Sequence, residues 1–470
     1  MITFYFTVFL LLLIGIGIYS HKLRKNNSED YLLASSNVSP MLSGISAAAS
    51  TFSGFMFTGF VGYIFVHGIS AIWFIFFMFL GEFLSTNFNK FIQKQTEKTG
   101  SLTYIELITK LTGGYEYLRK ILALVVVLFL GIYASSQILS STKALEEILN
   151  WNQVSSIVIA AVIILTYSFY GGIRASIWTD AAQGLLMLIA VGLLSYYALN
   201  QIGGITNLYT ELEHIDYDLV SFYPKDLKFG LFAFAIGWLF HGMGLLGQPH
   251  VMNRYMALKK GKTSSRNASL YFMFFTILFV SMLFVLSLTI RVYYANSTFD
   301  QEIALLKFSN EFFSDFFLGL ILAGIFASTI STADSQILVC SSAVVRDLFA
   351  KKISPKKAIY YNKIATLAIT VFIALIAIYG SKSIFKTVVM SWSVLGVAFT
   401  PLLVLAILKQ KVSQITTLAM LIFGVGTTIV WNAIGYGSNG IPAFLPGFLV
   451  SLLVFLLSEK LIMNKVLKKA

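Results

Sequence analysis

The densest oxygen chemistry in the chain is Ser328-Thr329-Ile330-Ser331-Thr332-Ala333-Asp334-Ser335-Gln336. On a helix Ser328, Ser331, Thr332 and Ser335 share one face, Ser342 continues it, and Asp334 flanks it. Hard cations such as Na+ take oxygen ligands, and this face offers several hydroxyls beside a carboxylate. The competing explanation is packing, because hydroxyls can satisfy themselves on carbonyls one turn back. The adjacent carboxylate favours a cation.

Three further stretches place polar groups in apolar surroundings, where they are costly and so become functional candidates. Ser46-Ala47-Ala48-Ala49-Ser50-Thr51-Phe52-Ser53-Gly54 is small and rich in hydroxyls. Such a stretch either lets two helices pack closely or lets one helix break and offer free carbonyls to a cation. Tyr167-Ser168-Phe169-Tyr170-Gly171-Gly172-Ile173-Arg174-Ala175 leads to Trp178-Thr179-Asp180. The glycine pair reads as a tight turn. Asp180 is either a helix-start carboxylate facing the positive end of the dipole or a relay for a departing cation. Gly242-Met243-Gly244-Leu245-Leu246-Gly247-Gln248-Pro249-His250 holds enough glycine and proline to loosen a helix. Histidine is the side chain whose free pKa lies near neutrality, which makes His241 and His250 candidates, but a lone histidine in such a place is more often a hydrogen-bonded structural residue. Cys340 is the only cysteine, so no intramolecular disulfide forms, and no metal cluster is expected.

The elements that carry these residues are apolar runs of membrane-spanning length. Of the 470 residues 57% are apolar and 12% charged, about half the charged share usual in a soluble chain. Thirteen apolar spans are read at 3–20, 40–66, 69–89, 118–141, 153–170, 178–200, 229–250, 268–294, 312–345, 358–379, 384–407, 413–432 and 441–458. Backbone polar groups in lipid need internal partners, so the spans are helices. The first run, with its charges after it, reads as a retained helix rather than a signal peptide.

With the amino terminus outside, about 27 of the 34 Lys and Arg fall on or near the cytoplasmic side. They include Lys259-Lys260-Gly261-Lys262 and the lysines at 351, 352, 356 and 357. The net charge of +13 is therefore a topology signal and not a nucleic-acid footprint. The loop 201–228 instead carries Glu211, Glu213, Asp216, Asp218 and Asp226. The stretch 90–117 has room for a short interfacial helix. The chain is expected to be one transmembrane domain, 1–470.

Four motifs in this order resemble the sodium:solute symporter family, most closely its sodium/proline branch. They are Ala49-Ser50-Thr51-Phe52-Ser53-Gly54; Tyr170-Gly171-Gly172-Ile173-Arg174-Ala175 with Trp178-Thr179-Asp180; Gly247-Gln248-Pro249-His250; and Ser331-Thr332-Ala333-Asp334-Ser335-Gln336-Ile337-Leu338-Val339. The resemblance implies an all-α polytopic membrane protein of the LeuT type, with inverted five-helix repeats at 40–200 and 229–407. An extra helix at 2–20 and two helices in 413–458 flank them. It also implies a sodium site of the Ala49, Phe52 and Ser328 carbonyls with the Ser331 and Thr332 hydroxyls. Asp180, Ser331, Asp334 and Ser335 form a second ion site or an exit route, and Thr51, Ser53, Gly54, His241, Leu245, Gln248 and Pro249 contact the substrate. The pattern differs at Thr51, where an Asp is common, and at His241 and Leu245, where aromatic residues are expected.

The expected function is Na+-coupled import of a small solute, an amino acid such as proline, by a carrier that works as a monomer in the cell membrane with its carboxyl terminus in the cytoplasm. Sodium is the only cofactor expected, as the coupling ion. Rivals are proton coupling through Asp180 and Asp334, a membrane sensor, and an intramembrane enzyme using Ser53 with His250. The stretch after residue 458 offers no signalling domain, and no hydrolase nucleophile motif is present, so a carrier is expected over a sensor or an enzyme.

Overall fold

Apolar runs of this length leave the backbone no choice but helix, and helices are what form. The computed structural model describes residues 1–22, 28–170, 172–225, 227–295, 298–349, 355–410, 412–437 and 440–467. Arg24, Lys25, Gly171, Asp226, Lys351, Lys352, Lys468 and Lys469 lie outside the described residues. The main helices are α1 (Ile2–Lys22), α2 (Pro40–Thr51), α3 (Val61–His67), α4 (Ile72–Thr86), α5 (Gly131–Leu149), α6 (Gln153–Tyr170), α7 (Ile173–Gln201) and α8 (Gly230–Met243). They continue with α9 (Pro249–Met256), α10 (Ser264–Tyr293), α11 (Asp315–Ser342), α12 (Pro355–Tyr379), α13 (Ile384–Ile407), α14 (Gln414–Ala433) and α15 (Phe444–Leu467).

Among the described residues, nine stretches are long and apolar enough to cross a bilayer, and α1, α6 and α15 carry further apolar helix over Ile2–Leu12, Gln153–Phe169 and Phe444–Ser458. This measure does not reproduce the expected thirteen. One of the differences is local. The expected span 40–66 is not one helix, because α2 stops at Thr51 and a π-helical stretch, Met56–Phe60, restarts the chain. From there helix runs on nearly unbroken through the turn Gly68–Ala71 and into α4, joining two expected spans.

The helix carrying the hydroxyl stripe lies at the centre. In the span containing α11, 89% of the most apolar window is buried, against 33% in α14. α11 packs against α1, α2, α5, α7 and α12, while α2 packs against α7, α9, α10 and α11. Large apolar side chains such as Phe274, Ile277, Val371, Leu375, Ile422 and Val430 stay exposed on the outer helices, as a lipid-facing surface requires.

Local chemistry fixes the helix ends. Ser39 caps α2 by accepting from Leu42 N (3.3 Å), with Pro40 in the first turn. Two short helices, Asn89–Thr99 and Tyr104–Leu111, fill the stretch where one interfacial helix was expected. The second is capped by Thr103, whose Oγ1 accepts from Glu106 N, while Glu106 accepts from the N–H of Leu102, one residue before the cap.

The seventh expected span breaks as its glycines and proline foretold. α8 ends in a 3-10 turn, Gly244–Gly247, and Gln248 is extended before Pro249 opens α9. The stretch 251–267, between the expected spans 229–250 and 268–294, reads as loop, and here the structure differs over its first residues. α9 is a buried helix, and Arg254 on it is 1% exposed. Where α4 meets α8 the backbones touch: a Cβ on Gly81 would lie 2.0 Å from Leu239 O, and one on Gly242 1.9 Å from Met78 O. Only glycine permits that approach.

Candidate functional site

α2 ends against the middle of α11, and two hydroxyls cross the junction. Ser331 Oγ donates to Ala49 O (3.2 Å) and to Ser328 O (3.0 Å), and Thr332 Oγ1 donates to Ser50 O (3.1 Å). Ala49, Phe52, Ser328, Ser331 and Thr332 are all buried. Phe52 terminates α2 with φ −76° and ψ 57°, so the carbonyls of the last turn have no helical continuation. Its ring stacks on Phe279 with centroids 4.2 Å apart. Ala49, Ser328 and Ser331 thus meet at one junction, Thr332 reaches it through Ser50, and Phe52 follows as the residue that ends α2. Ser50 contributes a carbonyl there that sequence reasoning did not name. The donor set is neutral oxygen throughout, which suits an alkali cation.

One turn along α11 the chemistry becomes ionic. Asp180 Oδ2 accepts from Ser46 Oγ (2.7 Å), Ser50 Oγ (3.4 Å) and Arg254 Nη2 (2.8 Å). Arg254 also donates to Ser46 Oγ and Ser176 Oγ, both at 3.3 Å, and to Ser335 Oγ and the His250 carbonyl. Ser335 Oγ in turn donates to Ser331 O (2.7 Å), joining this network to the first. Asp334 sits at the edge, near Ser168 and Ser176 and within electrostatic reach of Asp180 and Arg254.

Asp180 lies well inside α7, which has no acidic residue in its first turn, so the helix-start role does not apply. Arg254 is the residue the sequence reading missed, having counted it as a loop charge. The signal was present: Pro249 after Gln248 is a helix-start pattern, and Arg254 follows on that helix.

Beside the end of α2, at Thr51 and Phe52, lies a cavity of about 510 Å³ of empty space, counted to its open mouth. Thr51, Phe52, Glu82, Tyr133, Trp238, His241 and Trp392 are among its lining residues. Of the seven residues expected to contact substrate, Thr51 and His241 line it. His241 Nδ1 is 3.3 Å from Ser393 Oγ, and its carbonyl accepts from Trp392 Nε1 (3.1 Å).

The other five do not line it. Ser53 is buried, accepting from Tyr133 OH (3.4 Å). Gly54 is held against α5, its N–H donating to Gln137 Oε1 (2.8 Å). Leu245 is fully buried. Gln248 Nε2 donates to the carbonyls of Gly244 and Trp392, both 3.1 Å. Pro249 borders a separate small pocket with Asn253, Ser342 and Asp347. Both ring nitrogens of His250 are buried without partners, so Ser53 and His250 form no nucleophile–base pair.

Glu82 is the second residue missed, a lone carboxylate inside the apolar run 69–89 and only 4% exposed. The rule that flagged Asp334 applies to it equally.

A family model described as the sodium:solute symporter family matches residues 31–424. The osmoregulated proline transporter OpuE of Bacillus subtilis is 25% identical over 95% of this chain and 92% of its own length. The sodium/proline symporter of Escherichia coli is 27% identical over 97% of this chain and 92% of its own. Among solved structures, a Na+-coupled sialic acid symporter in a substrate-bound outward-open state superposes with a TM-score of 0.85 at 20% identity, covering 98% of both chains. The fold is therefore that of this symporter.

Proposed function

The chain belongs to the sodium:solute symporter family, and we propose on that premise that it imports a small amino acid of the proline type together with Na+ by alternating access. The observation carrying the sodium assignment is the reach of Ser331 and Thr332 across to the carbonyls of Ala49 and Ser50 where α2 ends. In the proposed complex the carbonyls of Ala49, Phe52 and Ser328 and the hydroxyls of Ser331 and Thr332 hold the ion. Each hydroxyl rotates its proton away and turns a lone pair to Na+, so the ion ties the end of α2 to α11.

Solute binds in the adjoining cavity, which shares Thr51 and Phe52 with the broken end of α2. Ion and solute then favour the same arrangement of α2, and each raises the affinity for the other. The membrane potential adds about 2.3 kcal/mol per charge per 100 mV. Asp180, Ser331, Asp334 and Ser335 form the ion's route to the cytoplasm, with Arg254 closing it. The proline type is supported by the names of the two relatives. Thirteen crossings, an external amino terminus and a monomeric unit in the cell membrane complete the reading. So do inverted repeats at 40–200 and 229–407, each opening on an interrupted helix, at Phe52 and at Gly244–Gln248.

Reconstitution tests this. Proteoliposomes with an imposed inward sodium gradient should accumulate labelled L-proline, and a proton gradient alone should not drive it. Equal driving by protons would replace sodium with the carboxylate route.

A further inference from the structure

Glu82 brings a carboxylate to the solute cavity without bringing a counter-charge. Its side chain is 4% exposed, its Oε2 is buried without a hydrogen-bond partner, and no ion pair among the described residues includes it. A carboxylate held this way is costly unless something else neutralises it. The backbone beneath it is fixed, because the Gly81–Leu239 and Gly242–Met78 approaches lock α4 to α8. A Cβ on Gly242 would also lie 3.0 Å from Glu82 N. The acid group therefore stays at the cavity wall.

The rest of that wall says which cation completes it. Trp238, Trp392, Tyr133 and Phe55 line the same cavity. Aromatic faces attract organic ammonium groups, whereas Na+ takes the oxygen-rich junction between α2 and α11. The wall holds a complementary orphan as well: Trp238 Nε1 is a buried donor without a partner. An acceptor and a donor unpaired among the described residues, on two residues that line one cavity, match a ligand that carries both a cationic nitrogen and an acidic oxygen.

We propose that the Glu82 carboxylate binds the ammonium of the carried solute while Trp238 Nε1 donates to its acid group, restricting the site to compact zwitterionic amino or imino acids. This rests on the transport reading for the word carried, but not for the binding itself.

The test uses the purified full-length protein in nanodiscs in sodium buffer, with two probes. One is L-proline. The other is cyclopentanecarboxylate, which keeps the ring and acid but lacks the nitrogen. L-Proline should bind and cyclopentanecarboxylate should not. Glu82→Gln should weaken L-proline roughly 10- to 100-fold, the range for losing a charge-assisted hydrogen bond, and Glu82→Asp should recover part of it. Without solute, Glu82→Gln should melt no lower than the wild type, because it removes a buried acid group that has no partner among the described residues.

Equal affinity for the two probes, failure of L-proline to bind, or L-proline affinity unchanged in Glu82→Gln would each overturn the proposal. Glu82-dependent L-proline binding in a protein that sodium does not stabilise would refute sodium coupling and leave this site standing.

Discussion

α2 and α11 meet twice, and the two meetings are built from different chemistry. At one, Ser331 and Thr332 touch carbonyls, and every group is neutral. At the other, Asp180 on α7 and Arg254 on α9 fill the space between the same two helices, holding Ser46 of α2 and Ser335 of α11. The neutral bonds are worth about 1 kcal/mol each and can be exchanged for ion ligation by rotating a hydroxyl. The buried ion pair cannot be opened so cheaply, because each partner left alone is an uncompensated charge. One meeting is thus suited to bind and release; the other is suited to hold until something replaces the guanidinium. A site and a lock can share two helices when their dielectric stakes differ.

The largest effect should come from the lock. Arg254→Ala leaves Asp180 buried and unpaired and should destabilise the protein by about 3–5 kcal/mol, seen as a lowered melting temperature. Arg254→Leu combined with Asp180→Leu should melt higher than either single variant. If it does not, the pair is not what holds this region, and the contrast with the neutral site dissolves.

Next comes packing around the cavity. Gly81→Ala puts a methyl group 2.0 Å from Leu239 O and should cost about 1–3 kcal/mol, together with transport rate, as α4 and α8 are forced apart. The neutral junction should respond differently. Ser331→Ala with Thr332→Ala should raise the sodium concentration for half-maximal uptake on the order of tenfold, and should cost about 1 kcal/mol of stability per lost hydrogen bond, less than the loss of the Arg254 guanidinium. The smallest effect belongs to Ser328→Ala. Its Oγ donates within the helix to Ile325 O (2.9 Å), and only its carbonyl faces the junction. Its sodium response should stay close to wild type, and a loss matching the double variant would show that the hydroxyl, not the carbonyl, is the ligand.

The sequence made the helices legible because lipid demands long apolar runs, and it made the breaks legible because Gly, Ser and Pro are concentrated there. It made the hydroxyl face of α11 legible because hydroxyls at helical spacing beside Asp334 are conspicuous among Ile, Leu and Phe, whereas the pairing of that face with the end of α2 came only from the family resemblance. The span count was less legible, since a broken helix and a tight turn, as at 52–53 and Gly68–Ala71, do not follow hydropathy. Arg254 was hidden by local polarity: Pro249–Met256 carries Asn253 beside Arg254 and looks like loop until tertiary packing buries it. The cavity wall was hidden for the opposite reason. With 42 Phe and 23 Tyr in the chain, an aromatic facing solute reads the same as one facing lipid. Only contacts between α4, α8 and α13 separate Trp238 and Trp392 from the rest.

The most direct test of the neutral junction is equilibrium binding of radioactive sodium to the purified protein, wild type against the Ser331→Ala, Thr332→Ala double variant. Wild type should bind sodium saturably without solute, and the double variant should need on the order of tenfold more ion. Identical binding curves would place the coupling ion elsewhere and contradict the account.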